Sequence, residues 1–283
     1  TGSVQEQGNQ LSLHRGDAAR LATVDTLCWR GGVFVLVQGN RRLTSDIWVL
    51  DLVGEFPYDK VTPGQFVHVL IGDGTAHPLR RPISIASCDP VGKTLSLVYR
   101  VVGDGTKWMR ERRPGETIDV LGPLGHGFPA PQRPGPVLIV GGGVGVPPLY
   151  QLAKVLHAQN VELDIVLGFK DHGDVFWADE FGKLGHVTIC TEDGSVGRPG
   201  FVTEALGDDR DWATLYSCGP RSMLKALKTH FQGTDIQGYV SLEERMACGI
   251  GACWGCTCEN ADQSEARRIC KDGPVFSWEE IQL

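Results

Sequence analysis

From residue 20 to 122 the chain alternates short apolar runs with turns. Val, Ile, Leu and aromatic residues concentrate at 33–38, 46–53, 65–71, 83–87 and 94–101, and Gly, Pro, Asn and Asp fill the gaps. Apolar runs of this length between backbone breakers predict β-strands. Their even spacing predicts a small antiparallel barrel, with one helix at 106–112. A Pro-rich stretch at 129–136 reads as a linker, and beyond it the period changes. Runs at 137–140, 163–169, 187–191 and 214–217 predict strands, while 149–157, 174–184 and 221–231 are helix candidates. Strands alternating with helices predict a parallel sheet covered on both faces. From 239 onward the chain becomes rich in Gly and Cys. The expected fold is an α+β multidomain chain: an antiparallel β-barrel at 19–128, an α/β domain at 135–238 and a Cys-rich region at 239–283. Thr1-Gly2-Ser3 resembles a tag remnant, and the polar residues 1–18 are expected to be loose.

Composition narrows the function. The 283 residues are 41% hydrophobic and 22% charged, which is ordinary for a globular protein. The formal charge of −7 and the lack of a long basic run argue against a nucleic-acid partner. No apolar stretch reaches the roughly 18 to 20 residues that span a bilayer, and no signal pattern opens the chain, so a cytoplasmic location is expected. Nine cysteines are an odd number, which disfavours a disulfide framework. Five of them fall between Cys248 and Cys270, and such clustering points to metal.

Cys248, Cys253 and Cys256 are spaced C-x4-C-x2-C, with Cys270 following after thirteen residues. This is the plant-type [2Fe–2S] spacing with a distant fourth ligand. Gly249, Gly251 and Gly255 let the backbone curl and present N–H groups to cluster sulfurs. A four-cysteine zinc site is the competing reading, although zinc loops more often use two C-x2-C pairs. Cys258 is not needed for the spacing, and Cys28, Cys88 and Cys190 read as small core residues.

Further motifs suit nucleotide cofactors. Arg81-Pro82-Ile83-Ser84 opens a strand, Val98-Tyr99-Arg100 ends another, and Gly103-Asp104-Gly105-Thr106 leads into the helix. A Gly-containing helix start favours an anion, and Arg81 can add a charge-assisted contact. Gly141-Gly142-Gly143-Val144-Gly145 lies between a strand and a helix, although it is not a strict G-x-G-x-x-G. Glu192 and Asp193 follow a strand end, where carboxylates accept ribose hydroxyls and repel a 2′-phosphate; a plain polar turn is the competing reading. Cys218-Gly219-Pro220 ends a further strand.

R-x-x-S on a barrel strand, G-x-x-T at a helix start, a Gly-rich loop and then Cys-Gly-Pro, in that order, resemble the ferredoxin–NADP reductase superfamily. The resemblance implies FAD on the barrel, NAD(H) on the α/β domain, and Cys218 beside the site of hydride transfer. The family's motif carries Tyr where this chain has Ile83, so an aliphatic side chain would cover the flavin ring. Residues 241–256 and the run from Cys270 to Phe276 resemble the electron-transfer subunits of class 1B dihydroorotate dehydrogenases. That resemblance implies an FMN-bearing catalytic partner, a heterotetramer with two of each chain, and an electron path from the partner's FMN through the cluster and FAD to NAD+. Two other functions are compatible with the motifs: an NAD(P)H:ferredoxin or bifurcating reductase subunit, and a zinc-stabilised nucleotide-binding regulatory module.

Overall fold

A computed structural model describes residues 32–207 and 210–283. The expectations for residues 1–18 and for Cys28 lie outside the described residues. Six strands form the barrel: β1 (Val33–Arg42), β2 (Ile47–Val53), β3 (Phe66–Val69), β4 (Arg81–Asp89), β5 (Thr94–Arg100) and β6 (Thr117–Leu124). They close in the order β1-β2-β5-β4-β3-β6, with every pair antiparallel. Alternation explains the closure. Val35, Val37, Leu50, Leu52, Val67, Val69, Leu95, Leu97, Ile118 and Val120 all turn into one buried core. Each such side chain contributes about 1.5–3 kcal/mol when removed from water. β6 is absent from the predicted runs because Gly122 and Pro123 interrupt its apolar pattern.

The barrel's helix α1 (Asp104–Arg110) starts two residues earlier than predicted. The Thr106 hydroxyl reaches back to accept the N–H groups of Val102 and Gly103 at 3.0 and 3.2 Å, which satisfies donors that a helix start leaves open.

The second half forms a seven-stranded sheet from β7 (Val137–Gly142), β8 (Leu163–Phe169), β9 (His186–Thr191), β10 (Arg198–Pro199), β11 (Thr214–Cys218), β12 (Gln237–Ser241) and β15 (Val275–Ser277). Its order is β10-β9-β8-β7-β11-β12-β15, parallel except for the last pair. The strand order reverses direction between β7 and β11. Helices α2 (Pro147–Ala158) and α4 (Arg221–His230) fall close to the predicted positions. Of the predicted helix at 174–184 only the middle is helical. One 3-10 turn (His172–Asp174) precedes a five-residue helix, α3 (Ala178–Gly182). Trp177 has a left-handed φ of 59°, and Phe176, Trp177 and Phe181 are drawn into the core, so tertiary packing overrides the local pattern.

Barrel and sheet share apolar packing. Ile47, Val49, Ala86 and Val98 of the barrel lie in one buried cluster with Leu149, Leu152 and Leu156 of α2. Polar ties reinforce it: Cys88 N donates to Gln151 Oε1 at 3.0 Å, and Lys154 Nζ to Ser87 Oγ at 3.1 Å. The Pro-rich connection is also anchored, because the Tyr216 hydroxyl donates to Pro129 O at 2.7 Å.

The Cys-rich segment does not stand apart from the sheet. It leaves β12, forms the hairpin β13 (Thr257–Glu259) and β14 (Ala266–Arg268) and the short helix α5 (Ile269–Asp272), then returns as β15. β15 pairs antiparallel with β12, Val240 opposite Phe276. Among the described residues, no helix is long and apolar enough to cross a membrane.

Candidate functional site

Open parallel sheets bind ligands at the carboxyl ends of their strands, where the order reverses. Here a cleft of about 750 Å³ lies at that point, between β7 and β11. Gly142 lines it at the end of β7, Gly143 and Gly145 just after, Lys170 after β8, Glu192 after β9, and Gly219 and Pro220 after β11. The barrel contributes Ile47 and Arg100. Gly141 is buried within the end of β7, one step back from the opening.

Cys218 is fully buried and does not line the cleft. It pairs in register with Gly141 on one side and Ser241 on the other. Burial first, and then the Glu243 carboxylate, push its thiol far above the ordinary range. It is therefore no acid or base at neutral pH. Asp193 is turned aside as well: its carboxylate accepts the N–H and hydroxyl of Ser195, at 3.0 and 2.6 Å. Glu192 alone of that pair faces the cleft.

The barrel motifs sort by strand alternation. Tyr99 points into the barrel, where its hydroxyl donates to Asn40 Oδ1 at 3.2 Å, so its ring is not presented to a ligand. Val98 faces the other way, into the core shared with the sheet. Arg100 reaches the cleft and pairs with Asp46 at 3.0 Å. Pro82 and Ser84 of β4 stand opposite His68 and Phe66 of β3. Ile83 packs against the rim of the barrel core. Arg81 lies directly over the start of α1: a Cβ at Gly105 would stand 2.5 Å from Arg81 Nε. A guanidinium beside free helix N–H groups suits a pyrophosphate.

Residues 248–256 form a loop whose backbone N–H groups point at sulfur. Gly251 N lies 3.1 Å from Cys270 Sγ, Ala252 N and Cys253 N lie 3.3 and 3.4 Å from Cys248 Sγ, and Cys270 N lies 3.4 Å from Cys256 Sγ. Burial raises the Cys248 thiol pKa, but N–H bonds from Ile250, Cys253 and Ala252 outweigh it and bring the thiol down to about 6. Cys270 is pushed up to about 12, by burial and then by Cys256. Among the described residues no group of three such side chains is placed to hold a single ion, but sulfurs that receive backbone N–H bonds, as those of Cys248, Cys256 and Cys270 do, suit a cationic metal centre, which favours the thiolates. Arg268 braces the loop. It pairs with Asp272 at 3.1 Å, donates to Gly251 O at 3.1 Å and stacks 4.5 Å from the Trp254 ring. Cys258 lies beyond the loop, on β13, and is buried. Cys88 and Cys190 are buried as predicted.

The sequence reading missed Glu243, which follows β12 into the cleft. Burial raises its pKa, opposed by Arg100. The only signal was an acid at the end of the apolar run 239–242. It also missed Lys170 and the exposed Phe201, both lining the cleft.

Comparison with known proteins is consistent with this arrangement. Residues 243–282 match a family model described as the iron–sulfur cluster binding domain of dihydroorotate dehydrogenase B. The dihydroorotate dehydrogenase B (NAD(+)) electron transfer subunit of Fusobacterium nucleatum is 43% identical over 254 residues, covering 87% of this chain and 97% of that protein. The subunit of the same name from Shouchella clausii is 47% identical over 249 residues, covering 86% and 95%. Among solved structures, an NADH-dependent reduced ferredoxin–NADP oxidoreductase, described in terms of flavin-based electron bifurcation, superposes with a TM-score of 0.80 at 29% identity, covering 88% and 90%. With that identity sustained from barrel to cluster loop, the chain belongs to the family of dihydroorotate dehydrogenase B electron transfer subunits.

Proposed function

We propose that the chain passes electrons between NAD(H) and a separate dihydroorotate dehydrogenase catalytic subunit, by way of FAD and a [2Fe–2S] cluster. A flavin exchanges two electrons as a hydride with nicotinamide and one at a time with an iron–sulfur cluster. The chain's residues supply position and electrostatics. Arg81 and the start of α1 would hold the FAD pyrophosphate, with Ile83 and Ser84 on the adjoining strand. Gly142, Gly143 and Gly145 would hold the nucleotide's phosphates, and Glu192 its ribose. Cys248, Cys253, Cys256 and Cys270 would ligate the cluster. The finer assignments are an FMN-bearing partner, a heterotetramer of two of each chain, a cytoplasmic location, and domains at 19–128, 135–238 and 239–283.

The observation that carries this reading is the insertion of a four-cysteine loop between β12 and β15, two neighbouring strands of the sheet that forms the cleft. A cluster there adjoins both the cleft and the barrel. The 29% identical bifurcating oxidoreductase supports a second reading, a ferredoxin-linked reductase subunit. Anaerobic purification of the chain with its co-purifying partner separates the possibilities. We expect stoichiometric iron, sulfide and flavin, visible absorption from both centres, and NADH-dependent reduction of orotate. A zinc-only, colourless protein would defeat every redox reading. NADH-dependent ferredoxin reduction without orotate reduction would favour the second.

A further inference from the structure

His68, on the outer face of β3, belongs neither to the cleft nor to the barrel core. Alternation turns Val67 and Val69 inward, and sends Phe66 and His68 towards the C-terminal segment. The imidazole has no exposed surface, and neither ring nitrogen has a hydrogen-bond partner. On the paired strand β4 it stands opposite Pro82, inside the Arg81–Ser84 run. Over it lies Gly249, the residue after Cys248. A Cβ at Gly249 would stand 2.4 Å from His68 Cε1 and 2.7 and 2.8 Å from its nitrogens, and the φ of +70° is itself left-handed. The cluster loop therefore rests on this ring, and only glycine permits the approach.

Burial first, and then the Arg80 guanidinium, lower the His68 pKa to about 4, so the ring is neutral at pH 7. A neutral imidazole has one N–H and one lone pair, and burying both without partners is unfavourable. The glycine in contact is the neighbour of Cys248, an assigned ligand of the centre.

We propose that His68 donates its ring N–H to a sulfur of the [2Fe–2S] centre, and so sets that centre's reduction potential from the barrel side. The inference rests on the iron–sulfur reading given above. A hydrogen bond to a cluster sulfur favours the more negative, reduced state and raises the potential. His68 thereby ties the strand next to the flavin motif to the cluster loop.

The test uses anaerobically purified holoprotein: wild type, His68→Phe, His68→Gln and, as a control at an exposed histidine, His126→Gln. Iron and sulfide are counted first. Their absence from the wild type would overturn the iron–sulfur reading and this inference with it. With the cluster present, EPR-monitored titration should give a lower cluster midpoint for His68→Phe, an intermediate value for His68→Gln and no change for His126→Gln. Pulsed EPR of wild-type protein labelled with ¹⁵N-histidine should show a histidine nitrogen and an exchangeable proton coupled to the reduced cluster. That measurement decides the matter even if the His68 variants fail to fold. A cluster-loaded His68→Phe variant with an unchanged midpoint, or wild type without the coupling, overturns the proposal. A shift confined to the flavin midpoint would assign the hydrogen bond to FAD and overturn it equally.

Discussion

A cysteine sulfur that accepts backbone N–H bonds is held as a thiolate more readily than one buried among apolar groups. The chain contains both kinds. Cys248 accepts N–H bonds from Ala252 and Cys253, while Cys190 sits in the core with its thiol raised by burial. Substitution should separate them. Cys248→Ser, Cys253→Ser, Cys256→Ser and Cys270→Ser should each deplete iron and sulfide per chain, and Cys258→Ser should leave both intact. A full cluster in the Cys270 variant would remove that residue as the fourth ligand. The cysteine spacing was readable because four residues of one type at fixed intervals are improbable by chance. His68 and Glu243 were not readable, since a single His or Glu carries no spacing, and their meaning lies in strands distant in sequence. Tyr99 shows the complementary limit: its motif was visible, but the face it occupies became clear only once β5 was paired with β2.

At the level of elements, strands were read better than their partners. The runs 163–169 and 214–217 lie where strands form, because continuous apolar stretches suit a sheet buried on both faces. Gly122 and Pro123 mask the period of β6, and aromatic packing rather than helical spacing governs 174–184. Element ends also bear on nucleotide choice. Glu192 follows β9 into the cleft, whereas Arg198 on β10 does not line it. Lys170 lines the cleft with the opposite charge. We expect NADH to be preferred over NADPH, measured as kcat/KM for flavin reduction. Glu192→Gln should narrow the preference by about fivefold, which is ~1 kcal/mol for unit charges a few ångströms apart in water. Equal kcat/KM values for the two nucleotides in the wild type would count against this role of Glu192.

For the whole molecule, the surface around the cluster matters most. Ile250 is 57% exposed and Trp254 55%, on a loop held by Arg268. Large apolar side chains fixed in place without burial favour a protein interface. By contrast Ile269, Val275 and Phe276, from the same apolar segment, are buried. Trp254→Ala should weaken binding to the catalytic subunit by about 2 kcal/mol or more, as truncation of a hot-spot aromatic does. NADH-to-dye reduction through FAD should stay mostly intact. Wild-type affinity in that variant, measured against the immobilised partner, would move the docking surface elsewhere.

The return of β15 to β12 has a mechanical consequence. Without β15, β12 would be the margin of the sheet, with a row of free N–H and C=O groups that can template another chain. The segment 242–274 that separates the two strands has little regular structure to pull its ends together. Iron bound by Cys248, Cys253, Cys256 and Cys270 would cross-link that segment and act as a clasp on the sheet's margin. Electron carriage and colloidal stability would then share four sulfur atoms. In the iron-depleted cysteine variants, light scattering should rise as the clasp opens and chains begin to add to one another's sheets.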